Sequence, residues 1–223
     1  MFLRTAVHLV ALSVMVWGWN AVHDTETLAA LSEHRHGGQS EFLTMDGLVL
    51  AMITTGLSFL SDLLPGVTFL KKAKRFFFMI AFTLSGVITA IYWPMVLLAP
   101  ALINPAYNPE PPATPLEPDT PIPFSGIPLS VDLALHFAPG AYFFLDFFLF
   151  EKRYSRDQIR RTGKALTAIA TLAYTGWIEY CKLYNLTYPY PFLNVSHLPR
   201  FAIYSSAALF GYTFFKGINA LHP

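Results

Sequence analysis

Thr44 opens one apolar run of this chain, and His136 lies near the start of another. A hydroxyl and a neutral imidazole on neighbouring membrane helices can serve as nucleophile and general base without an aspartate. Acyl transfer from a lipid ester is the chemistry such a pair suits. Asp132 stands one helical turn before His136. It can accept an imidazole N–H and set the tautomer, as a triad carboxylate does, or it can be a charge at headgroup level. Pro139 deprives the Leu135 carbonyl of its helical donor, and Gly140 admits a close neighbour, so His136 is expected in a locally opened helix. A histidine in a span is either a functional group or one end of an interhelical hydrogen bond.

Thr44 also heads a stripe. At 100° per residue, Ala51, Thr55, Ser58 and Asp62 fall within roughly 40° of it, a small and polar face expected to point inward. For Thr55 and Ser58 the ordinary explanation is close helix packing, with each hydroxyl on its own i−4 carbonyl. Asp62 and Asp146 neighbour basic loops and read as helix-end charges paired with lysine or arginine. Glu179, with Lys182 as its helical neighbour, is either one half of that ion pair or a polar pocket wall beside Tyr92, Trp93 and His197. The tryptophans and tyrosines at this level also suit an interfacial belt.

The elements that must position these groups are hydrophobic spans. The chain has 223 residues, of which 54% are hydrophobic, 16% aromatic and only 13% charged. This composition lies outside the soluble range and reads as an all-α membrane protein, a single integral domain over residues 1–223. The apolar runs cover approximately 2–22, 42–65, 75–99, 129–150, 163–184 and 200–220, each close to the ~20 residues that cross a hydrocarbon core. Six transmembrane helices follow, since an open chain in lipid satisfies its backbone only as helix. The first run has no small-x-small cleavage site after it and is taken as a retained span rather than a signal peptide. If the spans begin at Phe42 and Leu129, Thr44 lies about 3 Å deep and His136 roughly 10 Å deep. An earlier start at Gly38, or a tilt, closes that gap.

Basic residues cluster at Lys71, Lys72, Lys74 and Arg75, and again at Lys152, Arg153, Arg156, Arg160, Arg161 and Lys164, with Arg4 and Lys216 on the same side. The other face keeps Arg35, Lys182 and Arg200. The positive-inside rule then places both termini in the cytosol and the loops 23–41, 100–128 and 185–199 in the lumen or outside. The 100–128 loop is rich in proline and lacks lysine and arginine, so it is a lid or a passive connector in extended conformations. Asn185-Leu186-Thr187 and Asn194-Val195-Ser196 are glycosylation sequons close to the spans. The lone Cys181 excludes an internal disulfide and a cysteine-rich metal site, and its ordinary role is that of a small buried hydrophobe. No phosphate loop, HExxH or GxSxG occurs, and no basic patch interleaved with aromatics points to nucleic acid.

The run Gly37-Gly38-Gln39-Ser40-Glu41-Phe42-Leu43-Thr44, then Ser61-Asp62-Leu63, Leu135-His136, Trp177 and Tyr190-Pro191-Phe192-Leu193, resembles the androgen-induced transmembrane hydrolase family from Gly37 to the end. Where animal members carry Asn-His-x-x-His, this chain reads Asp132-Leu133-Ala134-Leu135-His136. The resemblance implies a six-helix intramembrane hydrolase of fatty acid esters of hydroxy fatty acids, with Thr44 and His136 as catalytic residues. It implies residence in the endoplasmic reticulum or plasma membrane and no cofactor or metal. The partners are the bilayer and a lipid ester.

In the mechanism expected, His136 takes the Thr44 proton, the hydroxyl attacks the ester carbonyl, and water activated by the same imidazole releases the acyl-threonine. Asp132 orients the base, and Tyr92 or a backbone N–H near Thr44 stabilises the oxyanion. Two other classes compete. A small transporter or channel would line a polar path with Thr44, Thr55, Ser58, Asp132, His136 and Glu179, although no inverted repeat is evident. A metal-dependent hydrolase would use Asp132, His136, His197 and Glu179.

Overall fold

The computed structural model describes residues 2–24, 35–103 and 127–223. Most of the proline-rich 100–128 segment and much of the 23–41 loop therefore lie outside the described residues. Among the described residues seven α-helices carry the fold: α1 Phe2–Asp24, α2 Leu43–Leu63, α3 Thr68–Leu98, α4 Leu129–His136, α5 Ala138–Phe150, α6 Lys164–Cys181 and α7 His197–Leu221. Among the described residues no strand occurs.

Helices stand at all six apolar runs, but α1, α2 and α3 are the ones long and apolar enough to cross a membrane. The α4–α5 pair, bent by 44°, makes a fourth if it is counted as one span. Helices α6 and α7 carry threonine, serine, histidine, arginine and lysine among their apolar residues, which lowers their hydropathy. Even so, Ile169, Leu172, Phe201 and Leu209 on these two helices are exposed, as are Leu97 on α3 and Leu149 on α5. Helix α3 starts seven residues before its apolar run, because lysine and arginine are good helix formers and carry the helix through the basic turn.

The bend between α4 and α5 has the cause its sequence suggests. Pro139 has no N–H to give to the Leu135 carbonyl, and the next carbonyl, that of His136, accepts from the Thr89 hydroxyl of α3 at 2.7 Å. A Cβ on Gly140 would stand 2.7 Å from that same hydroxyl oxygen, so only glycine lets α3 come this close.

Helices α2 and α3 pack along one another at the centre. Against them lie α1, α4 and α5, joined by a core in which Phe78, Phe82, Phe143 and Phe147 are fully buried. Phe78 and Phe143 meet edge to face with centroids 5.2 Å apart. Helix α7 packs on α3, and α6 packs on α7 with a smaller cluster around Ile178, Tyr188 and Leu193. Lipid is as apolar as leucine, so close packing holds such helices together. A Cβ on Gly18 of α1 would come within 2.9 Å of the Ala134 Cβ of α4. Between α2 and α3 on one side and α6 and α7 on the other, packing is open, and a cavity of about 1160 Å³ remains.

Candidate active site

The segment before α2 is shaped by its glycines. Gly37 and Gly38 take φ of 96° and 53°, which L side chains resist, and a Cβ on Gly37 would stand 2.7 Å from the Cys181 sulfur. A short 3₁₀ turn, Gly38–Glu41, follows and delivers Thr44 to the first turn of α2. Arg35 just before it and four groups from distant sequence tie this turn down. Arg35 pairs with the buried Glu41 carboxylate and donates to the Thr187 carbonyl at 2.8 Å. Asn185 donates to Glu41 at 2.7 Å, Tyr174 to the Glu41 carbonyl at 2.9 Å, and the Trp177 indole to Ser40 at 3.0 Å. The phenol oxygen of Tyr190 accepts the Leu43 N–H at 3.0 Å and faces both the backbone and the hydroxyl of Thr44. Burial pushes the Tyr190 phenol up from its ordinary value, so it stays protonated.

Thr44, half-buried, lines the large cavity together with Tyr92, Tyr174 and Tyr190. The other walls are almost wholly apolar, from Val49, Leu50 and Ile53 of α2 to Ala202, Ile203 and Phe210 of α7. The volume exceeds the ~300–1,000 Å³ usual for pockets of drug-sized ligands.

His136 is buried one turn further along α2. It borders a small closed gap with Gly47 and Leu48, which follow Thr44 by three and four residues on the same face. That spacing corresponds to an axial offset of roughly 5 Å, less than the offset in depth expected from sequence. The His136 Nδ1 lies 2.7 Å from Asp132 Oδ1, and the Tyr92 hydroxyl donates to the same oxygen at 2.6 Å. The rings of Tyr92 and His136 stack in parallel with centroids 3.4 Å apart. With Nδ1–H given to the carboxylate, the imidazole keeps its Nε2 lone pair, which has no hydrogen-bond partner among the described residues. The Asp132 carboxylate thus meets both the His136 ring and the Tyr92 hydroxyl. That hydroxyl's one proton is committed to Asp132, so Tyr92 is not an oxyanion donor in this arrangement.

The remaining sequence candidates separate. Glu179 pairs with Arg200 at 2.6 Å rather than with Lys182, and it accepts from Tyr188 at 2.8 Å and Tyr204 at 3.0 Å. Lys182 donates to the Asn185 and Leu186 carbonyls instead. The His197 Nδ1 lies 2.8 Å from Arg200. Glu179 and His197 therefore belong to one cluster, and Asp132 and His136 to another. Among the described residues no three His, Cys, Asp or Glu side chains are placed to hold a metal ion. The Thr55 and Ser58 hydroxyls donate to their own i−4 carbonyls at 2.8 and 3.0 Å and are fully buried, so they line no path with Thr44. The side-chain amide of Asn185, in the first sequon, is spent on Glu41 and on the carbonyl of His36.

One cluster escaped sequence reasoning. His8, wholly buried, lies with Nδ1 2.8 Å from Asp62 and Nε2 3.1 Å from Asp146. Arg4 completes the first pair at 2.5 Å, and Lys74 reaches Asp146 at 3.6 Å and Glu151 at 2.7 Å. The pairing of both aspartates with arginine or lysine matches the sequence reading. The only sequence signal for His8 was a lone histidine four residues after Arg4 in an apolar run.

A family model described as FAR-17a/AIG1-like protein matches residues 3–222. A UPF0641 membrane protein of Schizosaccharomyces pombe is 23% identical over 220 residues, which span 97% of this chain and 89% of that protein. No solved structure matches the chain. The chain belongs to the FAR-17a/AIG1-like family.

Proposed function

We propose that this protein is an intramembrane lipid ester hydrolase in which Thr44 is the nucleophile and His136 the base. One observation carries the reading. A hydroxyl lines a large apolar cavity, and on the same helix face, one turn away, a carboxylate holds an imidazole whose second nitrogen has no hydrogen-bond partner among the described residues. His136 Nε2 takes the proton from Thr44 Oγ1 as that oxygen attacks the ester carbonyl, and returns it to the leaving alkoxide. Water deprotonated by the same nitrogen then releases the acid. Tyr190, protonated and beside Thr44, is the side chain we assign to the developing oxyanion. The apolar walls house the acyl chain, and the resemblance in sequence points to fatty acid esters of hydroxy fatty acids. The accompanying topology is six spans, with the broken α4–α5 pair as the fourth, α6 and α7 as the last two, and both termini cytosolic.

Labelling with a fluorophosphonate probe tests the nucleophile. Wild-type protein should label and should hydrolyse lipid esters without added metal and in the presence of chelator. Thr44→Ala should insert normally and lose both signals. Labelling that survives in folded Thr44→Ala removes Thr44 from the chemistry, and activity lost to chelator and restored by zinc replaces the mechanism.

A further inference from the structure

The cavity beside Thr44 is closed above and open at one side. Above, the turn before α2 packs on α6: Tyr174 donates to the Glu41 carbonyl at 2.9 Å, Trp177 to Ser40 at 3.0 Å, and a Cβ on Gly37 would stand 2.7 Å from the Cys181 sulfur. Below that turn the two helices part. Helix α2 packs on α1, α3 and α4, and α6 packs on α3 and α7, but among the described residues α2 and α6 do not pack on each other.

A Cβ on Gly47 would stand 2.5 Å from Ile88, so α3 covers that face of α2. Val49 and Ile53 lie at least ~120° around the helix from it, on the flank that α3 leaves free, and both are exposed. They line the cavity, as do Leu166, Ala170 and Ala173 across the gap on α6. Ile53 stands roughly 13 Å from Thr44 along the helix, so the gap lies at the depth of hydrocarbon rather than of water. No lysine, arginine or histidine lines this cavity among the described residues. The cations on the Thr44 side are engaged elsewhere: Arg35 with Glu41, Arg200 with Glu179, and Lys182 with two backbone carbonyls.

A long-chain ester dissolved in the bilayer reaches Thr44 through this gap without crossing water, which its hydrocarbon chains avoid. Its two halves then have two places. The acyl chain fills the cavity. A hydroxy fatty acid half ends in a carboxylate, which inside the cavity would be desolvated with no cation beside it. Lying in the gap, the same chain stays in lipid and turns its carboxylate to the membrane surface, as long charged side chains do. We infer that the gap between α2 and α6 is a slot to the bilayer, through which the ester enters and in which the chain of its alcohol half stays during cleavage. This rests on the hydrolase reading above and gives the site room for esters with a long chain on both sides.

The test follows the alcohol half. A non-cleavable ether analogue of the palmitate ester of a hydroxystearic acid, with a diazirine in its hydroxystearate chain, is irradiated with the wild-type, full-length protein in phosphatidylcholine vesicles. Peptides carrying Val49, Ile53 or Ala170 should be marked. Marks confined to Ala202, Ser206 or Phe210 of α7 would put that chain inside the cavity and overturn the inference. Ile53→Trp and Ala170→Trp each fill the gap from one wall. Either should lower kcat/KM for the cleavable two-chain ester at least ~10-fold relative to that for p-nitrophenyl butyrate, which is small enough to pass what remains of the gap. A ratio unmoved in both folded variants also overturns the inference and leaves a Thr44-dependent hydrolase in place. Absence of Thr44-dependent cleavage of either substrate by wild type removes the hydrolase reading and the slot with it.

Discussion

Two buried histidines occupy opposite ends of α2 and differ in one respect that decides what each can do. His8 lies near Asp62 and has a carboxylate against each ring nitrogen. His136 lies near Gly47, roughly 20 Å away along the helix by its rise. It has one carboxylate, on Nδ1, and among the described residues no partner on Nε2. A ring with a carboxylate at both nitrogens is a tether, since neither nitrogen is left to face another reactant. A ring held at one is pre-oriented and still basic. The surroundings differ in the same sense. Around His8 the helices α1, α2 and α5 close completely, whereas α2 and α3 near Thr44 face the open cavity.

The contrast is sharpest in a double-mutant cycle at the Thr44 end. Thr44→Ala and His136→Ala should each reduce ester hydrolysis at least ~10³-fold with the fold retained. The double variant should be little worse than either, because residues acting as a unit lose their effect together. Additive losses, measured as log kcat/KM, would mean that the two act separately.

At the other end the effect should be on stability. His8→Ala leaves Asp62 and Asp146 buried with fewer partners, which should cost about 3–5 kcal/mol and lower the thermal midpoint in detergent. Activity per folded molecule should hold within about threefold. A folded His8→Ala that cannot hydrolyse esters would break the comparison.

Tyr190→Phe separates chemistry from scaffolding within the active end. Loss of an oxyanion donor is worth about 10²–10³ in kcat, with KM little changed. If Tyr190 only caps the Leu43 N–H, thermal stability should fall and kcat should stay. Asp132→Asn is the smallest change, since the amide can still hold the ring in place. It should cost about 10- to 100-fold, the range for a group that orients another. A larger loss than in His136→Ala would make Asp132 a direct participant.

The helices were legible in the chain because their cause is local. A run of ~20 apolar residues must bury its backbone polar groups as helix in lipid, whatever else the molecule does. The same holds for the bend at Pro139 and for the inward stripe on α2, where Ala51, Thr55, Ser58 and Asp62 are all buried. Asp132 beside His136 was visible too, since one helical turn separates them. The proline-rich segment, read as lid or connector, lies for the most part beyond the described residues.

Partnerships across the chain were decided by the tertiary structure alone. Tyr190 reaches Leu43 and Thr44, Tyr92 stacks on His136, Arg200 displaces Lys182 at Glu179, and His8 bridges Asp62 to Asp146. Helical period states which residues share a face but not which faces meet. In lipid, where no hydrophobic force favours one apolar face over another, that choice falls to shape and to the pairing of a few polar groups. Residues more than a hundred positions apart enter one site through those contacts, and local sequence carries no record of them.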